Sequence, residues 1–190
     1  MELHIEDTNL ADVKLITPGI FEDQRGFFFE AFRGDVFEAA GLPNSFVQSN
    51  YSGSHRGVLR GLHFQWSPPM GKLMRVITGS AFLVAVDIRL GSPTLGRWWG
   101  EVISAAQRKM VWAPAGFARG FYVVSEFAEI EYCCTGVYNS QAESAIRWND
   151  PQLAIDWPIS GHVGLSTKDS QAAGFQDWLA RPESESFTFS

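Results

Sequence analysis

Apolar runs in this chain are short, and glycines, prolines or polar turns close nearly all of them. Residues 13–16 stop at Pro18-Gly19, residues 26–32 follow Glu22-Asp-Gln-Arg25, and residues 72–78 alternate before Gly79-Ser80. Residues 81–89 finish on Asp87 and Arg89, ahead of the loop Gly91-Ser-Pro-Thr94. Further runs at 97–103, 109–112, 117–125 and 129–135 are separated by Gln107-Arg108 and by Pro114-Ala-Gly116. Runs of this length suit strands, and the breakers between them leave helices little room to propagate. About ten strands and almost no helix before residue 165 predict an all-β sandwich or barrel rather than alternating β and α units. The exception is Gly34-Asp-Val-Phe-Glu-Ala-Ala-Gly41, a brief helix with Asp35 near its start and Gly41 closing it.

Size and charge narrow the function. At 190 residues and 45% hydrophobic the chain supports one well-filled core, so a single domain over 1–190 is expected. A net charge of −6 argues against a duplex nucleic-acid partner and leaves room only for a local cationic pocket. No apolar stretch is long enough to span a membrane, and Met1-Glu-Leu-His-Ile-Glu-Asp7 lacks the basic-then-apolar pattern of a signal peptide, so a cytoplasmic protein is expected. Cys133 and Cys134 are adjacent, poorly placed for an ordinary disulfide, and read as reduced strand residues.

Within the sheet-like sequence one stretch is too polar for a core. Residues 48–65, Gln-Ser-Asn-Tyr-Ser-Gly-Ser-His-Arg-Gly-Val-Leu-Arg-Gly-Leu-His-Phe-Gln, interrupt the β-favouring Val58, Leu59, Leu62 and Phe64 with Arg60 and His63. An exposed strand face is one reading and a pocket floor is the other. Strict alternation would place Arg60 and His63 on opposite faces, but Gly61 lies between them, and a glycine inside a strand often marks a bulge. Such a bulge would turn both side chains toward one ligand.

Other polar residues share faces with apolar ones. Alternation puts Lys72 with Met74 and Val76, Arg119 with Phe117, Phe121 and Val123, and Tyr132 with Ile130 and Cys134. Lys72 either snorkels at its strand start or faces a site, and a guanidinium at Arg119 needs an anion or several carbonyls. After Leu165-Ser-Thr-Lys-Asp169 an amphipathic tail with Ala172, Phe175, Trp178 and Leu179 predicts a short helix over about 169–181, with Asp169 placed to cap it. No phosphate-cradling loop, His-Glu-x-x-His helix or Gly-x-Ser-x-Gly elbow occurs, and the four scattered histidines include no His-x-His pair, so neither a metal nor a cofactor is expected. One histidine, one lysine, two tyrosines and several arginines are equipment for proton transfer beside a stabilised negative charge.

These residues occur in an order that resembles the dTDP-4-dehydrorhamnose 3,5-epimerase family over nearly the whole chain. The matching segments are Asp23-Gln-Arg-Gly-Phe27 with Glu30, Gln48-Ser-Asn50, Gly57-Val-Leu-Arg-Gly-Leu-His63, Lys72-Leu73, Val86-Asp-Ile-Arg89 and Pro114-Ala-Gly-Phe117. The Tyr132 to Tyr138 spacing, Arg147-Trp-Asn-Asp-Pro151 and Leu165-Ser-Thr-Lys-Asp169 complete the set. The resemblance implies a jelly-roll β-barrel of the metal-free cupin type with a few short helices, a homodimer whose subunits complete each other's sites, and epimerisation at C3 and C5 of a dTDP-linked 4-keto-6-deoxyhexose. It makes His63 the base, Asp169 its orienting partner, Tyr132 the acid and Lys72 the enolate stabiliser. Tyr138 would lie near the sugar, and Arg25, Glu30, Gln48, Asn50, Arg60, Glu143 and Lys168 near the nucleotide and diphosphate.

Two positions depart from the family pattern together. Phe82-Leu-Val84 stands where Phe-Asp-Val is common, and Gly116-Phe-Ala-Arg-Gly-Phe121 carries Arg119 where a histidine is common. Arg119 is therefore expected either to bind the diphosphate or to reshape the sugar site toward inversion at one carbon.

Overall fold

The computed structural model describes residues 2–189, so Met1 and Ser190, the ends of the expected 1–190 unit, lie outside it. In chain order the strands are β1 (Leu3–Asp7), β2 (Lys14–Pro18), β3 (Phe21–Asp23), β4 (Gly26–Phe28), β5 (Gln48–His55), β6 (Leu59–Gln65) and β7 (Lys72–Thr78). They continue as β8 (Ser80–Asp87), β9 (Trp98–Ser104), β10 (Met110–Ala113), β11 (Phe117–Val123), β12 (Phe127–Cys134) and β13 (Glu143–Ala145). Helix α1 (Gly34–Ala39) precedes β5, and α2 (Thr167–Ser170) and α3 (Phe175–Leu179) follow β13. One antiparallel sheet runs β1-β2-β10-β7-β12-β5, a second runs β13-β6-β11-β8-β9, and β3-β4 is a separate hairpin. The result is the expected all-β jelly roll with a few short helices.

The core between the sheets takes Leu15, Met74, Val76, Val111 and Ile130 from the six-stranded sheet and Leu83, Ala85, Ile103, Phe117, Phe121 and Val123 from the five-stranded one. A second apolar layer lies behind the five-stranded sheet, where Leu59, Leu62, Phe64, Phe82, Val84 and Tyr122 pack on Trp157, Phe175, Trp178 and Phe187. The C-terminal segment thus covers that sheet's outer face. This is why β11 is buried at every position and why the run at 81–89 shows no polar alternation. On the other side α1 seats Phe37 against Ile16, Leu73, Met110 and Trp112.

Several boundaries differ from the sequence reading. The run at 26–32 is a strand only over Gly26–Phe28. Strands β1 and β13 were not predicted, because Leu3–Asp7 and Glu143–Ala145 are short, polar and paired along one side only. Asp169 caps no helix: Ser166 caps α2 and Gly174 stands at the N-cap of α3.

The bulge at Gly61 is present. Arg119 pairs with His63 while Phe121 pairs with Arg60, so two residues of β11 span three of β6. Gly61 has φ +133, and a Cβ there would meet Gly120 Cα at 2.6 Å and the Arg119 carbonyl at 2.9 Å. Beyond the bulge the parity of β6 is reset. Leu59, Leu62 and Phe64 all face the outer layer, while Arg60 and His63 both face between the sheets. We predict that Gly61→Ala costs about 1–3 kcal/mol, the scale of one strained backbone residue. An unchanged urea midpoint would show that the strand pair does not depend on this contact.

Candidate active site

Arg60, His63, Lys72, Met74, Arg119, Gly120, Phe121 and Tyr132 line one cavity of about 100 Å³ between the sheets. A larger depression of about 630 Å³ lies elsewhere, among Asn9, Arg97, Trp98, Trp99 and Leu153, and offers no base, lysine or tyrosine. The small cavity is where the candidate chemistry converges. It is lined by three cations and no carboxylate.

His63 enters from β6 and donates from Nε2 to Asp169 Oδ1 at 2.5 Å. Asp169 is 3% exposed and sits in the first turn of α2, carried there by the C-terminal segment. Ser166 Oγ donates to Asp169 Oδ2 at 2.9 Å and accepts the Asp169 N–H at 3.1 Å. Burial raises the Asp169 carboxyl, but hydrogen bonds from His63, Ser166 and the Gly61 N–H outweigh it and hold the group below the ordinary carboxylate value. A neutral imidazole bonded this way keeps its proton on Nε2 and leaves Nδ1 as the basic nitrogen.

Tyr132 enters from the opposite sheet, on β12, paired with Asn50 of β5. Burial raises its phenol, as does the neighbouring Cys134, so it holds its proton at neutral pH. Lys72 on β7 lies with Nζ 5.8 Å from the Tyr132 ring centroid and has no ion pair among the described residues. Burial pushes Lys72 down to about 8; Cys134 and Glu143 favour its charge and Arg119 and Lys168 oppose it. Arg119, on β11 and 3% exposed, donates from Nε to the Val84 carbonyl at 3.1 Å. Its two terminal nitrogens have no hydrogen-bond partner among the described residues. Burial pushes this guanidinium down to about 9, which leaves it charged at neutral pH.

A polar rim surrounds this floor. Glu143 on β13 accepts from Tyr138 Oη and from Lys168 Nζ, each at 2.5 Å, and Tyr138 N–H donates to Gln48 Oε1 at 2.8 Å. Gln48 Nε2 donates to Asn50 Oδ1 at 3.0 Å, and Arg60 Nε to Ser54 Oγ at 3.1 Å. Burial raises the Glu143 carboxyl, but Lys168 and Tyr138 outweigh it and hold it below its ordinary value.

Arg25 and Glu30 do not join this group. Arg25 lies in the β3-β4 hairpin and pairs with Asp23 at 2.6 Å, while Glu30 pairs with Arg33 at 3.3 Å. The hairpin packs through Phe27 beside Arg75 and Ile77, the face of β7 that points away from Lys72 and Met74. Sequence reasoning had not singled out Ser166, although Ser166-Thr-Lys-Asp169 has the spacing of a helix-start motif. It also missed Gly120, Met74 and Phe121, which carry no chemical signal of their own. Among the described residues, no group of three or more His, Cys, Asp or Glu is placed to hold a metal ion.

The family model described as dTDP-4-dehydrorhamnose 3,5-epimerase matches residues 7–177. The chain belongs to this family. The dTDP-4-dehydrorhamnose 3,5-epimerase of Pseudomonas aeruginosa is 52% identical over 169 residues, covering 88% of this chain and 93% of the relative. A crystal structure of the dTDP-6-deoxy-D-glucose-3,5-epimerase of Legionella pneumophila, in complex with dTDP-4-keto-L-rhamnose, superposes with a TM-score of 0.92. It is 46% identical and covers 96% of this chain and 97% of its own. ChmJ, a 3'-monoepimerase from Streptomyces bikiniensis in complex with dTDP-quinovose, is more distant, at 32% identity and a TM-score of 0.86, with coverage of 91% and 88%.

Against the epimerase family pattern, Leu83 and Arg119 fall at one place. Phe121 pairs with Leu83 and Arg119 with Ala85, so Leu83 is the diagonal neighbour of Arg119 across the β11-β8 ladder. The electrostatics of Lys72 give a signed prediction. Its folded value of about 8 lies below the 10.5 of an ordinary lysine, so the unfolded chain binds more protons through that window. Its penalty to stability is therefore complete below about pH 8 and fades as pH rises toward 10.5. Lys72→Met should raise the urea midpoint at pH 7, and its advantage should narrow across that window; a pH-independent difference would contradict this environment.

Proposed function

We propose that this chain inverts C3 and C5 of a dTDP-linked 4-keto-6-deoxyhexose, converting dTDP-4-dehydro-6-deoxy-D-glucose into dTDP-4-dehydro-L-rhamnose. The observation that carries this reading is that His63 and Tyr132 reach one cavity from opposite sheets, with Lys72 beside Tyr132 on the neighbouring strand. A sugar ring held there presents one face to a base and the other to an acid. His63 Nδ1 takes the proton from the carbon next to the carbonyl; the C–H pair becomes a C=C bond and the C=O π pair moves onto oxygen. Lys72 donates to that oxygen. The enolate then collapses, and Tyr132 delivers a proton to the opposite face, which inverts the centre. Asp169 fixes the imidazole and stabilises it once protonated.

The rim fits the remainder of the substrate. Arg60 at the mouth, with Lys168, Gln48 and Asn50, suits a diphosphate and nucleoside, and Tyr138 with Glu143 suits the edge of the sugar. This reading treats residues 1–190 as one catalytic unit, supported by Asp169 reaching His63 from the C-terminal segment. The free Cys133 and Cys134 suit a reducing cytoplasm. None of the described helices is long and apolar enough to cross a membrane. A narrower activity, inversion at one carbon, is favoured by the replacements at Leu83 and Arg119.

Incubation with dTDP-4-keto-6-deoxyglucose in heavy water separates the two. Deuterium at both C3 and C5 is expected, and label at one carbon alone would select the narrower activity. His63→Ala should slow exchange by about 10²–10⁴-fold with dTDP affinity retained, the usual range for a lost general base. Tyr132→Phe should leave epimerisation incomplete while exchange persists at one carbon. Wild-type turnover by the His63 variant would remove it from the mechanism.

The reading includes a homodimer. The hairpin exposes Phe21 at 66%, Phe27 at 58% and Phe28 at 63%, and holds Arg25 on the face away from its own cavity. A second copy would bury those rings and bring Arg25 and Glu30 to its partner's rim. Mixing refolded His63→Ala and Arg25→Ala chains tests this. A shared site predicts recovery to about a quarter of wild-type activity, since half the dimers are mixed and each has one intact site. No recovery would place each complete site within one chain.

A further inference from the structure

The cavity floor carries a charge that none of the described residues neutralises. Arg119 is 3% exposed and spends one donor, Nε, on the Val84 carbonyl. Nη1 and Nη2 are buried without a partner among the described residues, although burying a guanidinium is costly unless its donors are met. On β8 its neighbours are Ala85 opposite and Leu83 on the diagonal, both fully buried and apolar, and on β6 it pairs with His63. The ammonium of Lys72 faces the same cavity and also has no ion pair among the described residues. Two cations therefore converge on one cavity, with no carboxylate among the residues that line it.

At about 100 Å³ the cavity is compact, and its floor, where Arg119 lies with Lys72 and His63, suits the sugar and its carbonyl. Arg60 is exposed, bonded to Ser54 and placed at the mouth, where phosphate oxygens would lie. We propose that Arg119 is a catalytic residue of this chain whose Nη1 and Nη2 donate to the substrate's carbonyl oxygen and, together with Lys72, hold the charge that develops there when the neighbouring proton leaves. The assignment rests on the epimerase reading above. The electron count is that of the same step: the C–H pair forms the C=C bond, the carbonyl π pair moves to oxygen, and the proton goes to His63.

Arg119→Met tests this, with Arg119→Gln as the second variant should the first fail to fold. Exchange of deuterium into the sugar should fall about 10²–10³-fold, the loss typical of one oxyanion donor, while dTDP affinity stays within about twofold. The thermal midpoint should rise, because an unpaired buried charge is removed. Around Lys72, the cations Arg119 and Lys168 oppose Cys134 and Glu143, and the Tyr132 ring lies alongside. Deleting Arg119 should therefore move the alkaline limb of the exchange rate to higher pH, a shift that loss of packing alone does not produce. Exchange at saturation equal to wild type, with dTDP bound about tenfold more weakly, would assign Arg119 to the diphosphate and overturn the proposal. Exchange and dTDP affinity both equal to wild type would overturn it as well. A wild-type protein that binds dTDP but exchanges no label would instead overturn the epimerase reading and the Arg119 assignment with it.

Discussion

The contact between Gly61 and Gly120 is the constraint on which the site depends. Two strands of one sheet approach so closely there that a Cβ on either residue would meet backbone of the other strand within 3 Å. The extra residue this places in β6 resets its parity, so that Leu59, Leu62 and Phe64 share the outer layer while Arg60 and His63 share the cavity. A bulge also leaves one residue out of the ladder, and the Gly61 N–H lies near enough to the Asp169 carboxyl to help hold it below its ordinary value. The same local irregularity thus aims the imidazole and helps anchor the group that orients it. The outer apolar layer completes the arrangement, because it holds the C-terminal segment that carries α2.

The electrostatics run against the chain's overall charge. A protein with net charge −6 builds a cavity lined by Arg60, Lys72 and Arg119, with no carboxylate on its walls. The acidic residues nearby are already engaged, Asp169 by His63 and Ser166 and Glu143 by Lys168 and Tyr138. Burial depresses both Lys72 and Arg119, so the folded protein holds these charges at a cost to its stability. Such a cost is sensible at a place where negative charge appears only during the reaction, because preorganised donors need no rearrangement at that moment.

Much of this was legible in the sequence. Short runs with breakers gave the all-β class, and strict alternation gave the shared faces of Lys72 with Met74, Arg119 with Phe121 and Tyr132 with Ile130. A glycine between two polar residues of a strand marked the place of the bulge, although the residues alone left an exposed strand face open. What was not legible depends on distance along the chain. By spacing alone Asp169 looked like a helix cap, since local spacing cannot show that β6, more than 100 residues earlier, needs a carboxylate; only the family resemblance linked it to His63. Strands β1 and β13 lack apolar periodicity because much of their surface faces water or the rim. The hairpin's place on the outer face was hidden for the same reason, since its phenylalanines pack little within one chain.

Leu83 gains meaning from its neighbour. A carboxylate at that diagonal would stand within reach of Arg119 and would form a bidentate pair with the two nitrogens that have no partner among the described residues. The guanidinium would then be neutralised and lost to any substrate oxygen. Where the family pattern has an acid and a histidine, that pair can supply a donor whose charge varies with protonation. Leucine with arginine supplies a donor charged throughout the neutral range, and it works only if the acid is absent. The two replacements are therefore one change in the chemistry of the floor: Arg119 provides the charge, and Leu83 leaves it unpaired.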